Sequence, residues 1–572
     1  MTFSSFVQKL EVKPLDDEFE SIQTSRWGNR DVYPIPHSKR TYGIYAFVSY
    51  WGTCGVCLSS WTIGSSLIGI GLTPGQAMAS VVVGMFLACI NAFLNGTPGA
   101  KHHLGYGMLA RAAFGMWGSY FCIMLNVFQS FVFYGTQMYF GGQAFVIILN
   151  SLSHSFLTMK NTLPESAGIT TPGLIGFVLF MILYFPIIYW IPAHKIQKLL
   201  EVQVVIAAAT LLGIMGWAVY MNGGHAGNLV APAISLTKAE ASFRVVQGIT
   251  SVAGTYTGGS DRVSGTDSSL LLVIPPPSRI LPLPTNNHKP DWTRYGRTRH
   301  TSTPAIICLF LTVILTALIG IISTSALVNV YGDLQWNPLI TLQLVQATTY
   351  TVKCRVATFF AGLGLLCVTV FVNYTQNCVS SGMDVAMLIP KYVSQRRGAI
   401  IFSILGVLAQ PWRFLTQATT FITVLSSFGV FMSPAAAILI VDFWLVRKTK
   451  WNIPELYKPG GIYWYAGGIN WRAFIAYILA MWPALPGFVN ATGGVEINIV
   501  WRRFYQISFF FGYLVAGGLY WVFCVVSPPP GVGVQVDFDV DGRALVIEGI
   551  GGSEVPLGNG GVEKQQSLET KE

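Results

Sequence analysis

The chain has 572 residues, of which 52% are hydrophobic and only 10% are charged. Soluble proteins carry about 25% charged residues, and one large core cannot explain the shortfall because a globular surface still faces water. The composition therefore excludes a soluble enzyme and a disordered chain. The formal net charge is +10, but the basic residues lie in short loops between apolar segments, which argues against a nucleic-acid-binding face.

Twelve apolar segments are long enough to cross a bilayer as helices. We number them spans 1 to 12 in chain order: residues 43–71, 76–97, 117–148, 173–193, 202–222, 245–263, 303–330, 357–383, 398–417, 421–446, 472–491 and 504–527. The chain is thus predicted to be an all-α integral membrane protein with about 12 transmembrane helices. The transmembrane region covers 43–527, between an N-terminal tail (1–42) and a Gly-rich, disordered C-terminal tail (528–572).

The loops after spans 2, 4, 6, 8 and 10 carry most of the basic residues, for example Arg294 and Arg297 after span 6 and Arg396 and Arg397 after span 8. The positive-inside rule places these loops, and therefore both tails, in the cytoplasm. Residues 1–40 are polar, so no cleavable signal peptide is predicted and span 1 directs insertion.

Residues 265–290 do not fit the short loop expected between spans 6 and 7, because they are rich in proline and apolar residues. One interpretation is a regulatory insert. The other, which we favour, is an intron retained in the predicted gene, because the codons of Gly265 and of Pro290-Asp291 can contain the GT and AG of splice sites. Splicing there would join Ser264 to the residues that follow Pro290 in frame.

Polar residues inside the spans are the candidates for function, since polar groups are costly to bury in hydrocarbon. Phe133 and Gln137 in span 3 are four residues apart and share a helix face. An aromatic ring one turn from an amide suits a flat, hydrogen-bonding heterocycle; the alternative is core packing. Asn373 and Asn377 in span 8 have the same spacing and predict a polar cavity.

Two further segments carry small and polar residues. Span 6 ends in Ala253–Asp261, which predicts either unwound backbone of the kind that holds substrate in transporters or a close helix crossing. In span 1, Gly64–Ser66 permit an interruption or tight packing. Asp384 lies near the cytoplasmic end of span 8, where it is better placed for a gate or an ion pair than for substrate.

No metalloprotease, nucleophile-elbow or P-loop motif is present, so an intramembrane enzyme is disfavoured and no cofactor is predicted. Cys54 and Cys57 match a redox or zinc half-site by their spacing. They lie in an apolar segment without a second pair, and we interpret them as small packing residues.

Several stretches together carry a specific resemblance: Asn29–Pro34, Arg40–Tyr42, Trp61–Ser66, His194–Ile196, Asp291–Tyr295 and Asn470–Ala473. Over about residues 26–527 the chain resembles the fungal branch of the nucleobase–cation-symport-1 family, the permeases for uracil, allantoin, uridine, thiamine and nicotinamide riboside. The alignment expected from this resemblance joins Ser264 directly to Asp291, which favours the intron interpretation.

The resemblance implies a LeuT-like five-plus-five inverted repeat with two further C-terminal helices. It also implies a substrate held near mid-membrane by spans 1, 3, 6 and 8, with alternating access. The implied substrate-binding residues are the stacking Phe133, the amides Gln137 and Asn377 with Asn373 one turn away, Gly254 and Tyr256 of span 6, and Thr62 at a position that is often Gln; the implied gating residue is Asp384.

The resemblance also bears on the coupling ion. Phe371 and Val372 stand where bacterial relatives bind sodium through hydroxyl groups, which implies a proton as the coupling ion. The candidates for the proton carrier are Asp31, Asp261 and Asp384, and the sequence does not choose among them.

We therefore expect a plasma-membrane permease that imports a uracil- or allantoin-like heterocycle by proton symport. A thiamine or nicotinamide riboside permease is the alternative within the family, and a non-transporting membrane sensor is the alternative of another class. The expected partners are a small-molecule substrate and the lipid bilayer, not nucleic acid. Lys564 and Lys571 in the C-terminal tail are candidate sites for ubiquitin-dependent turnover.

Overall fold

The computed structural model describes residues 10–12, 25–29, 32–33, 44–102, 104–191, 196–230, 236–262, 303–408, 410–415, 417–538 and 544–548. The predicted insert 265–290 lies outside the described residues. The same holds for Asp31 and for the tail lysines Lys564 and Lys571.

The described part of the chain is almost entirely helical, as the composition predicts. Its helices are α1 Ile44–Gly55, α2 Leu58–Gly69, α3 Pro74–His102, α4 Tyr106–Phe114, α5 Gly118–Leu152, α6 Thr171–Trp190, α7 Gln197–Met221, α8 Lys238–Arg262, α9 Thr303–Tyr331, α10 Pro338–Thr348, α11 Val352–Val372, α12 Ser380–Leu388, α13 Gln395–Leu408, α14 Ala418–Val441, α15 Trp471–Met481, α16 Leu485–Gly493, α17 Ile499–Gln506 and α18 Ser508–Val526. Shorter helical turns connect several of them.

Within the described ranges, nine helical segments are long and apolar enough to cross a membrane. They correspond to spans 2–5, 7, 8 and 10–12. Spans 1, 6 and 9 are also helical but fall short: span 1 is divided into α1 and α2, α8 carries charged residues at its ends, and α13 has 14 residues. The predicted extent of span 9 is wrong at its C-terminal end, because Gln410 has a φ of +50° and Pro411 follows it.

Span 1 is interrupted at Val56 and Cys57. Cys57 is extended, with φ −145° and ψ 166°, so the helical hydrogen bonding cannot pass through it. A side-chain carbon on Gly55 would lie 1.9 Å from Thr312 Oγ1 of α9, so only glycine permits this contact. Gly64–Ser66, the predicted site of interruption or tight packing, lie within the continuous α2, where Gly64 packs closely against Ala317.

Span 8 is also irregular. α11 continues directly into a π-helical segment, Asn373–Val379, which is followed by α12. Such segments are rare and often occur at functional sites because the wider turn changes which side chains share a helix face. The three amides of span 8, Asn373, Gln376 and Asn377, all lie in this segment.

Small residues let neighbouring helices approach closely, as is common in membrane proteins. α5 and α6 meet at Gly142 and Gly176. A side-chain carbon on Gly176 would lie 2.3 Å from the carbonyl oxygen of Gly142, and one on Gly142 would lie 2.8 Å from Cα of Phe177. Neither position can hold a larger residue without a shift of the backbone.

α4 and α10 close opposite ends of the bundle. At the α10 end, the amide nitrogen of Gln346 donates to the Ile147 carbonyl and contacts the hydroxyls of Ser151 and Thr358, each at 2.9 Å. These bonds attach α10 to the end of α5 and the start of α11. α4 was not predicted as a separate helix, and neither was α10, because both are too short to cross a bilayer.

At the α4 end, an N-terminal segment made of the described residues 10–12 and 25–29 contacts the bundle. Asn29 donates to the carbonyls of Pro390 and Val393, at 2.7 and 3.0 Å, and Glu11 pairs with Lys391 at 2.8 Å. This hydrogen-bonded ion pair raises the pKa of Lys391. The segment therefore contacts the loop between α12 and α13, which follows span 8.

The same N-terminal segment also contacts α4. Arg111 is fully buried and donates to the carbonyls of Trp27 and Leu456, at 2.8 and 3.2 Å. Burial lowers the pKa of Arg111 to about 10, so the guanidinium remains charged at neutral pH. Residues 25–29 thus join α4, the loop after α14 and the loop after α12.

A buried ion pair follows α14. Arg447 Nε lies 3.1 Å from Asp442 Oδ2, and the Tyr520 hydroxyl of α18 donates to Asp442 Oδ1 at 2.8 Å. Arg447 also donates to the Tyr465 hydroxyl at 2.6 Å, which in turn donates to the Ala112 carbonyl of α4. This network attaches α4 and α18 to the end of α14.

The start of the C-terminal tail is ordered, contrary to the disorder predicted from residue 528. Strand β1, Gln535–Phe538, pairs antiparallel with β2, Ala544–Glu548. Val536 also exchanges backbone hydrogen bonds with the segment after α14, at Trp451 and Ile453. In β1 the apolar Val536 and Phe538 alternate with polar residues, and β2 is a short apolar run with Val and Ile; both patterns favour strands. Residues 549–572 lie outside the described residues.

We expect Gly176→Ala to destabilise the protein by about 1–3 kcal/mol, the usual range for overpacking, because the added methyl meets the Gly142 carbonyl. Thermal unfolding of the purified protein measures the loss. Gly216→Ala is the matched control: no described atom lies within 4 Å of a methyl group at this exposed helical glycine. Equal unfolding temperatures for Gly176→Ala and the unaltered protein would contradict the proposed α5–α6 contact.

Candidate functional site

A cavity lies between the interruption of span 1, α5, α8 and the π-helical segment. It contains about 590 Å³ of atom-free space, a figure that includes its opening to solvent. Both irregular helical segments therefore border the same space. The lining residues are Cys54, Cys57, Ser59, Ile63, Gln129, Ser130, Phe133, Gln137, Thr255, Tyr256, Val372, Gln376 and Asn377.

Phe133 and Gln137 of α5 both line the cavity, as their spacing predicts. Phe133 is half-buried, and its ring lies 5.5 Å from that of Phe428 at an angle of 36°. Gln137 donates from its amide nitrogen to Ser59 Oγ of α2 at 2.8 Å. Its Oε1 has no hydrogen-bond partner within the described ranges, so this acceptor is available to a ligand.

The π-helical segment brings amides to the opposite side of the cavity. Asn377 lines the cavity and donates to Asn373 Oδ1 at 3.0 Å, so Asn373 orients Asn377 from outside the lining. Gln376 accepts from the Tyr50 hydroxyl of α1 at 3.3 Å. Its amide nitrogen has no partner in the described part of the chain and is a donor available to a ligand.

Tyr256 of α8 lines the cavity, and its hydroxyl lies 2.8 Å from Ser60 Oγ of α2. The bond fixes the aromatic ring beside the interruption of span 1. Thr255 precedes it and also lines the cavity. α8 therefore contributes side chains from a continuous helix, and the unwound backbone predicted over Ala253–Asp261 is wrong, since α8 extends to Arg262.

Gly254 and Thr62 do not line the cavity. A side-chain carbon on Gly254 would lie 2.5 Å from the Gly429 nitrogen, so this residue packs α8 against α14, as the alternative of a close helix crossing predicts. Thr62 is fully buried and donates to the Leu58 and Ser59 carbonyls of its own helix. The residues of α2 that line the cavity are instead Ser59 and Ile63.

Asp384 is buried in α12, seven residues after Asn377. At 1.5 Å per residue this places it about 10 Å along the helix axis from Asn377, and it does not line the cavity. Its location near the α4 end of the bundle agrees with its predicted separation from the substrate.

Sequence reasoning missed Gln129 and Ser130, and it interpreted Cys54 and Cys57 as packing residues. All nine cysteines lie in the described ranges and none forms a disulfide, but these two line the cavity. Gln129 was detectable, because it lies four residues before Phe133 and eight before Gln137 on one helix face.

The lining combines aromatic rings with amides and hydroxyls. Among the residues the structure describes, no charged side chain lines the cavity. Such a surface can stack a flat ring and exchange hydrogen bonds with its edge. The described lining therefore has the groups that bind a flat, polar ring.

Comparisons with known proteins agree on one family. Residues 34–259 and 283–512 match the family described as "Permease for cytosine/purines, uracil, thiamine, allantoin". The chain is 31% identical to the Transporter aclS of Aspergillus oryzae, over 92% of this chain and 90% of the relative. It is 30% identical to Nicotinamide riboside transporter 1 of Saccharomyces cerevisiae, over 92% and 84%.

The fold is similar to that of Mhp1, a nucleobase-cation-symport-1 family transporter solved in a closed conformation with bromovinylhydantoin bound. The TM-score is 0.64 at 18% sequence identity, and the match covers 88% of this chain and 97% of Mhp1. At this identity the likeness concerns the fold. It supports the expected LeuT-like class of helical transporter.

We expect Asn377→Ala to lower substrate uptake at least about tenfold, the factor that corresponds to one lost hydrogen bond of about 1.4 kcal/mol. Initial uptake rates, normalised to the protein at the cell surface, measure the effect. Asn329→Ala is the control, because Asn329 is an exposed amide on α9. Near-normal uptake by Asn377→Ala would show that Asn377 does not contact the substrate.

Proposed function

Since the chain belongs to the permease family for cytosine/purines, uracil, thiamine and allantoin, we propose that it imports an uncharged heterocycle of the uracil or allantoin class by proton symport with alternating access. It is a membrane transporter and not an enzyme. The substrate binds in the cavity of Phe133, Gln137, Tyr256 and Asn377, with Asn373 holding Asn377 in place.

The observation that carries the proposal is the uncharged, amide-rich lining. Uracil and allantoin present alternating N–H and C=O groups at the edge of a flat ring. Gln137 offers an acceptor and Gln376 offers a donor, neither of which has a partner in the described ranges, and Phe133 offers a face for stacking. A neutral ring therefore satisfies the buried polar atoms without a counter-ion.

A second candidate is a cationic ring such as that of nicotinamide riboside. The 30% identity to Nicotinamide riboside transporter 1 favours it, and aromatic faces attract cations. The lining described above lacks a carboxylate to neutralise such a ligand, which is why we place this candidate second. Competition between the two ring classes separates the candidates.

Proton coupling is proposed because Phe371 and Val372 stand at the positions where hydroxyl groups would bind sodium. Val372 lines the cavity with an apolar side chain. The Phe371 carbonyl already accepts from the Thr375 hydroxyl at 2.8 Å. This part of span 8 therefore offers few free oxygen ligands to a cation.

We also propose twelve spans in a five-plus-five inverted repeat with two further helices. Two short helices support the repeat: α4 follows span 2 at one end of the bundle, and α10 follows span 7, five spans later, at the other end. The similarity in fold to Mhp1 is consistent with it. The same proposal includes location in the plasma membrane, with both termini in the cytoplasm. It also includes ubiquitin-dependent turnover through Lys564 and Lys571.

The test is uptake of labelled uracil by a strain that lacks its own permeases, at two pH values, with unlabelled allantoin, uridine, cytosine, thiamine and nicotinamide riboside as competitors. We expect uptake to increase at the lower pH, because the inward proton gradient drives symport. We also expect neutral rings to compete better than the cations. Uptake that is equal at both pH values would contradict proton coupling, and no saturable uptake of any compound would favour a sensor.

The insert should interfere with folding or gating, because it lengthens the connection between spans 6 and 7. The family match omits residues 260–282, which supports treating part of this segment as foreign to the fold. We expect the chain without residues 265–290 to reach the cell surface in larger amounts than the full chain. Equal surface amounts in a biotinylation assay would show that the segment is tolerated, as a regulatory insert would be.

A further inference from the structure

The face of α5 that lines the cavity carries three polar or aromatic side chains at equal spacing. Gln129, Phe133 and Gln137 are each four residues apart and all line the cavity. Each step of four residues advances about 6 Å along a helix, so the two glutamines lie about 12 Å apart along the axis. A single ring that stacks on Phe133 and forms hydrogen bonds with Gln137 does not contact the Gln129 end of this face.

The orientation of the Gln129 amide is fixed by its partner. Its nitrogen donates to the Thr255 carbonyl of α8 at 2.9 Å, and a carbonyl can only accept, so the nitrogen must face Thr255. The side chain is 2% exposed, and no described residue donates to its Oε1. A buried acceptor without a partner is costly, so we infer that this oxygen takes a hydrogen-bond donor that none of the described residues supplies.

Two further hydroxyl groups belong to residues that line the cavity on the same two helices. Ser130 Oγ follows Gln129 on α5, and Thr255 Oγ1 belongs to the residue whose carbonyl holds the Gln129 amide. Both side chains are at least nine-tenths buried, and both hydroxyls are without a partner in the described part of the chain. One acceptor and two hydroxyls of the lining, from two helices, are thus left without a partner among the described residues.

We propose that Gln129, Ser130 and Thr255 form a second polar subsite, which binds the donor-bearing substituent of a substituted heterocycle. The ligand class is an uncharged ring that carries a sugar or urea group, as in a nucleoside or a ureide, rather than a bare ring. The ring occupies the Phe133–Gln137 end, and an O–H or N–H of the substituent donates to Gln129 Oε1. This inference rests on the proposed function, and it makes Gln129 a specificity-determining residue.

The test compares bare and substituted rings as competitors in the full chain. Inhibition constants are measured for uracil and cytosine as bare rings and for uridine and allantoin as substituted rings. In Gln129→Met, which keeps the length of the side chain and removes the amide, we expect weaker binding of the substituted rings by about tenfold, or about 1.4 kcal/mol. The constants of the bare rings should change by less than those of the substituted rings, because Phe133 and Gln137 bind the ring itself.

Gln143→Met is the matched control. Gln143 is another buried glutamine of α5 and accepts from the Gln343 amide at 2.7 Å, but it does not line the cavity. A general loss of packing in α5 would affect both variants and both ligand classes. A larger loss for substituted than for bare rings in Gln129→Met supports the subsite.

The outcomes separate the two proposals. Suppose that the unaltered chain takes up rings. If Gln129→Met then weakens the binding of both ligand classes equally, or of neither class, the second subsite is wrong and the proposed function stands. If Gln129→Met does not reach the membrane, the unaltered chain decides: substituted rings should compete more strongly than bare rings, and equal constants overturn the subsite. Uptake or binding of none of the four compounds overturns the proposed function together with the subsite.

Discussion

The site depends on the constraint that backbone polar groups inside a membrane must be satisfied by the protein itself. Two helices nevertheless depart from regular hydrogen bonding beside one cavity: span 1 at Val56 and Cys57, and span 8 in the π-helical segment Asn373–Val379. Such departures are tolerated where they are buried in protein or line a cavity. Their common location explains why the polar side chains of both spans converge there.

The helices around these irregular segments are held by contacts that leave little freedom. Gly55 packs against Thr312 of α9, and Gly254 packs against Gly429 of α14. Both contacts are so close that a side-chain carbon on either glycine would overlap its neighbour. The side chains then complete the arrangement, because Tyr256 bonds to Ser60 and Gln137 bonds to Ser59. The short α2 is therefore positioned by α5 and α8 through hydrogen bonds, immediately after its own break.

The ends of the bundle are linked by buried polar contacts rather than by apolar packing alone. At the α4 end, Asn29 and Arg111 join the N-terminal segment to loops that follow α12 and α14. The Asp442–Arg447 pair joins α14 to α18 and α4. Removing one partner of a buried pair leaves an uncompensated charge, so these contacts hold the loops against α4 and α18.

Apolar length was enough to predict a helical membrane protein, with nine segments among the described residues long and apolar enough to cross a bilayer, because hydrocarbon accepts few other structures. Phe133, Gln137 and Asn377 line the cavity, and the four-residue spacing of Phe133 and Gln137 is what places both on one face of α5; their contact with a substrate stays a prediction. Side-chain choices within the site were harder to predict. Small residues such as Gly254 are equally consistent with unwound backbone and with close packing, and only the neighbouring Gly429 decides between them.

The same limit explains the other differences. The Thr62 hydroxyl donates a hydrogen bond to the Leu58 carbonyl of its own helix. Composition cannot distinguish such a bond from contact with a ligand. α4 and α10 are too short to give a membrane signal, and the β1–β2 hairpin depends on Val536 reaching the segment after α14. Each of these features is decided by a partner distant in sequence, which a pattern along one chain does not contain.

The uncharged lining also constrains any coupling mechanism. A proton symporter needs a group that gains and loses a proton, and no carboxylate lines the cavity among the described residues. For the proton coupling proposed above, the titrating group has to be sought outside the described lining. Of the three candidate carboxylates, Asp31 and the side chain of Asp261 lie outside the described residues. Asp384 is the candidate that the structure locates: it lies on α12, in direct continuation of the segment that holds Asn377, about 10 Å away along the axis.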